Sequence, residues 1–123
     1  MYDKRFAVYE ASLIFYQQIL VCTAETIKED NFNRVQKDFI KASREAQYLF
    51  SKESGIFHLL EEWHTRSFKV IVFKEIARDI VDQPEGFSKM QNECNDALQF
   101  FEQSLRILEN ELLPYLYFKN AYA

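Results

Sequence analysis

The chain has 123 residues, enough for one domain that buries roughly 65–70% of its unfolded surface. Two Gly and two Pro are too few for the turns of an all-β fold. A net charge of −4 with scattered Lys and Arg argues against nucleic acid as a partner, and no window reaches the ~18–20 apolar residues of a membrane span.

The first helix is predicted over about residues 3–27, with Asp3 as a cap. Phe6, Tyr9, Leu13, Tyr16 and Leu20 repeat every three or four residues and form one stripe. Val8, Phe15, Ile19 and Cys22 form a second stripe beside it. Two stripes make an apolar arc wider than one bundle seam needs. The helix is therefore expected to touch two neighbours, or one neighbour and another subunit.

The polar break Glu29-Asp30-Asn31 leads into a second helix over about 32–50. Phe32, Val35, Phe39, Ala42, Ala46 and Leu49 follow the 3-4-3-4-3 rhythm of an antiparallel seam. The opposite face, with Arg34, Lys37, Asp38 and Lys41, is expected to be solvated. Gly55 costs about 1 kcal/mol inside a helix, so a turn is expected near it.

The third helix, about 52–81, holds the only Trp and both His. Ile56, Leu60, Trp63, Val70, Ala77 and Ile80 lie on one side. Its second half is apolar on nearly every face around 68–73, and a turn that is apolar all round is buried all round. A four-helix monomer leaves one flank of each helix open. Phe68, Ile71, Val72 and Phe73 are therefore candidate interface residues, together with Phe15 and Ile19 of the first helix.

Pro84 suits the first turn of a fourth helix over about 84–112. Its seam is Phe87, Met90, Cys94, Leu98, Phe101, Leu105, Leu108 and Leu112. Pro114 is expected to stop or bend it, leaving a short C-terminal tail. Four helices with short joins must run up and down. The expected fold is all-α, a single-domain antiparallel four-helix bundle. The second helix is the shortest, so part of a seam is expected to lie uncovered along the second half of the third.

Three constellations carry possible chemistry. Glu61 and His64 form a Glu-x-x-His pair on one helix face, the spacing used in di-iron carboxylate bundles. The fourth helix holds no second copy, so no metal or other cofactor is expected; Glu61 and His64 are the residues that would serve. Arg5, Glu10 and Glu45 flank seams, where a structural ion pair is three times as expected as a ligand site. With Tyr9 and Trp63 they are the candidates for a ligand pocket walled by aromatic rings. Cys22 and Cys94 lie on different helices without a CxxC spacing and read as buried free thiols. No Gly-rich loop, nucleophile elbow or paired-acid arrangement is legible, so catalysis is not the expected role.

The segments Lys4-Arg5-Phe6-Ala7-Val8-Tyr9-Glu10-Ala11, Glu45-Ala46-Gln47-Tyr48-Leu49-Phe50, Ile56 to Leu60 and Leu113-Pro114-Tyr115-Leu116 carry a resemblance. The chain resembles a set of small all-helical bacterial proteins, and more distantly the orphan proteins carried on mobile integron gene cassettes. Ser51-Lys52 stands where those proteins tend to have Gly-Pro. The resemblance implies an all-helical fold and supplies no catalytic residues. The opening MYDKRF has no apolar signal region, so a cytoplasmic protein is expected. The functional expectation is a helical interaction module that forms a homodimer and binds a protein partner. The alternative is a small-molecule binding or sensing protein with an aromatic-lined pocket.

Overall fold

The structure, a computed structural model, describes residues 4–120, with side chains described through Tyr115. Asp3, the expected first cap, lies outside the described residues. Four helices form an antiparallel up-and-down bundle: α1 (Lys4–Val21), α2 (Asp30–Leu49), α3 (Ile56–Ile80) and α4 (Pro84–Asn120). α1 packs most closely on α2, and α3 on α4. No helix among the described residues is long and apolar enough to cross a membrane.

The ends of the helices have local causes. α1 stops at Val21, short of the expected end. Thr23 and Thr26 explain this: each backbone N–H donates to the other's hydroxyl, at 2.8 and 3.2 Å, and a 3₁₀ turn over Thr26–Lys28 follows. Side-chain hydroxyls thus replace the helix's own ladder. Lys52–Ser54 is a second 3₁₀ turn rather than the start of α3. Gly55 closes it with φ 71°, a left-handed conformation that favours glycine, and α3 begins at the next residue.

α4 departs most from expectation. It runs through Pro114 to Asn120 instead of ending in a tail. Proline removes one backbone donor, but the rest of the turn can remain helical. Tyr115 fixes the extension sideways: its ring meets Phe50 edge-on at 4.9 Å, and the Arg5 guanidinium lies 5.3 Å from its centre.

The centre of the bundle is a layer of rings to which every helix contributes. Phe15 of α1 stacks on Phe39 of α2, with centroids 4.0 Å apart and planes 3° from parallel. Trp63 of α3 lies 5.1 Å from Phe101 of α4 and 6.4 Å from Phe39. All four of these side chains are fully buried, each worth about 1.5–3 kcal/mol or more in transfer from water. Each helix also buries one serine: Ser12, Ser43, Ser67 and Ser104. Their hydroxyls donate to carbonyls three or four residues back, at 2.6–2.8 Å. Among the described residues no buried side-chain N or O atom lacks a partner, as a stable interior requires.

The core is not continuous along the whole length. In α3 the last buried residue is Ile71, and in α4 the first is Cys94. Beyond them the α3–α4 hairpin continues as two helices, held by partly buried contacts such as Phe73 against Phe87 at 5.4 Å. The uncovered stretch lies along the second half of α3 as expected, but not for the expected reason: α1, with 18 residues, is shorter than α2, with 20.

Candidate interaction surface

α1 is apolar on nearly all sides, and its two stripes separate cleanly in the fold. Val8, Phe15, Ile19 and Cys22 are buried. Phe6, Tyr9, Leu13 and Tyr16 are half-buried and Leu20 is 42% exposed. Phe15 and Ile19, expected at an interface, therefore belong to the core of one chain. The physical reason is that Phe15 finds its stacking partner in Phe39. The other stripe faces α4, where the Tyr16 ring lies 6.3 Å from Phe101. The face turned outward lies away from both stripes and holds Ile14 and Val21, seven residues apart and 43% and 69% exposed.

On α3 the four interface candidates also separate. Ile71 is buried in the core and Phe73 is occupied by Phe87. Phe68 and Val72 are 47% and 41% exposed. They border a small cleft of about 170 Å³ with Lys69, Met90 and Glu93. The Lys69 ammonium bridges that cleft to Glu93 at 3.1 Å. Phe68 also meets the His64 ring edge-on at 5.0 Å.

The five pocket candidates do not converge. Trp63 is fully buried, and its indole N–H donates to the Ser104 hydroxyl at 2.7 Å. Tyr9 turns toward α4 and donates to Glu109 at 2.8 Å. Burial, that hydrogen bond and the Glu109 charge all raise the Tyr9 pKa. Arg5 lies over Tyr115. The rings expected to wall a cavity pack against one another instead. Glu10 and Glu45 share a concavity, a half-open groove of about 500 Å³ between α1 and α2. Val8, Ala11 and Ala42 form its apolar floor, and Arg34, Asp38 and Lys41 stand along its α2 wall.

The Glu-x-x-His pair is likewise divided. Glu61 is exposed and sits 3.6 Å from His58. His64 is partly buried, which lowers its pKa, and the Arg44 charge adds to that shift. Among the described residues no group of three or more His, Cys, Asp and Glu is placed to hold a metal ion. Cys22 and Cys94 are buried free thiols, and burial raises both pKa values, which makes them poor nucleophiles.

Sequence reading missed the groove wall on α2 because a solvated, mixed-charge face carries no hydrophobic signal. It missed Ser104 because one serine within an apolar seam looks like a defect in the pattern. No family model, no curated protein and no solved structure matches the chain.

Proposed function

We propose that the chain is a helical interaction module that assembles with a second copy of itself through the outward side of the α1–α2 layer. The observation that carries this reading is the solvent side of α1. A surface helix ordinarily shows one apolar stripe and one polar face. α1 instead exposes Ile14 and Val21, two turns apart on one face, while its buried stripe fills the core. Single exposed apolar residues are ordinary, but a pair on one face, turned away from both packed seams, marks an interaction face. The interior supports the same reading, since its rings and hydroxyls are spent on one another.

Light scattering of the purified chain tests it. A particle of twice the chain mass at micromolar concentration is expected. A monomer under those conditions removes the reading.

A further inference from the structure

We infer that the second copy docks antiparallel along the α2 wall of the groove, about a two-fold axis level with the midpoint between Phe39 and Ile40. This rests on the self-association proposed above and adds the face, the direction and the register.

Asn31, Arg34, Asp38, Lys41 and Glu45 all line the groove from α2. Their 3-4-3-4 spacing places them in one row along the helix. The four charged members alternate in sign: plus at Arg34, minus at Asp38, plus at Lys41, minus at Glu45. The outer pair, Arg34 and Glu45, and the inner pair, Asp38 and Lys41, share one midpoint. A two-fold axis through that point places Arg34 opposite the partner's Glu45, and Asp38 opposite the partner's Lys41. Symmetry repeats both, so four opposite-charge pairs form over about 16 Å of helix. A parallel arrangement in register would place each charge against its own copy.

Pairing within one helix does not account for the row. Arg34 to Asp38 and Lys41 to Glu45 are four apart, with the base N-terminal to the acid, the weaker order. Asp38 and Lys41, three apart in the favourable order, form no ion pair with each other. Arg34 donates to Asn31 at 2.7 Å. Among the described residues Asp38, Lys41 and Glu45 make no ion pair or side-chain hydrogen bond. Their charges are therefore open to a partner.

The apolar part of the contact lies at the same level. Phe15 stacks on Phe39, which sets Ile14 of α1 beside the axis. Ile14 is 43% exposed and lines the groove, so the axis brings the two copies of Ile14 together. The charge pairs flank this contact and fix direction more than strength, the usual division between polar and apolar contacts.

Charge reversal tests the register. Arg34→Glu and Glu45→Arg are each made in the full chain and followed by light scattering and sedimentation. Each variant alone sets like charges opposite one another twice, and its dimer is expected to weaken by about tenfold or more in Kd. Mixed one to one, the two variants are expected to recover a heterodimer near wild-type affinity, because both pairs are restored. Raising salt to 1 M, where the screening length is about 3 Å, should reduce the difference between variants and wild type. If the wild type dimerises but the reversals neither weaken nor complement it, this register is wrong and self-association stands on another face. If the wild type is a monomer, both proposals fall, and the groove is left to a different protein.

Discussion

The indole N–H of Trp63 donates to Ser104 at 2.7 Å, and the Ser104 hydroxyl in turn donates to the carbonyl of Phe100 at 2.6 Å. This two-step chain ties α3 to α4 at the ring layer and leaves no polar atom of the indole without a partner. Ser104→Ala removes the acceptor while the indole stays fully buried. An unsatisfied buried donor costs about 1–3 kcal/mol. The variant is expected to fold and to melt several degrees lower by circular dichroism. An unchanged melting temperature would show that the hydrogen bond contributes nothing net.

Gly55 tests the join between α2 and α3. Its φ of 71° is left-handed, and nothing lies within 4 Å of the position a Cβ would take. The cost of Gly55→Ala is therefore backbone strain without a clash, about 1–2 kcal/mol. Asn tolerates this conformation better, so Gly55→Asn is expected to cost measurably less. Equal destabilisation of the two in urea titrations would point to a different conformation at this turn.

Much of the fold is legible in the sequence because α2 and α4 are strongly one-sided. Phe32, Val35, Phe39, Ala42 and Ala46 keep a seam rhythm and are buried, as are Cys94, Phe101, Leu108 and Leu112. α1 and α3 are harder, since apolar residues surround them. For α1, periodicity reveals two stripes but cannot say which one meets Phe39. That choice depends on ring stacking between segments 24 residues apart, which no local pattern records. The candidate pocket fails for a related reason: Tyr9, Glu45 and Trp63 lie near seams, but on different sides of them. The α2 charge row is visible in the sequence as a solvated face, and its meaning depends on the groove beside it.

His64 gives the chain a pH-dependent component. Burial lowers its pKa, and the Arg44 charge on α2 lowers it further. The unfolded chain therefore binds a proton near pH 6.5 more readily than the folded chain does. The sign follows from linkage: this stability is fully present above about pH 6.5 and is lost as pH falls toward the depressed folded-state value. His64→Gln is expected to flatten the melting profile between about pH 7 and 5 relative to wild type. Arg44→Ala should move the His64 titration upward by NMR. A variant whose profile runs parallel to wild type across that window would contradict this account.

Three aspartate substitutions separate core from contact face. Phe15 and Ile14 are adjacent in sequence but 1% and 43% exposed. Phe15→Asp places a charge in the ring layer without a partner and is expected to cost more than about 4 kcal/mol, enough to lose cooperative unfolding. Ile14→Asp lies at the surface, so its melting temperature should stay close to that of wild type. It also sets two carboxylates together at the proposed axis, so its particle is expected to be a monomer by light scattering. Phe68 is 47% exposed on α3, away from the α1–α2 layer, and Phe68→Asp should leave both the fold and the dimer intact. The reverse result, with Phe68→Asp dissociating the particle and Ile14→Asp leaving it whole, would move the contact to the cleft beside Val72 and Met90. The adjacent pair Ile14 and Phe15 makes the comparison strict, because the same chemical change is applied one residue apart and only the face of the helix differs.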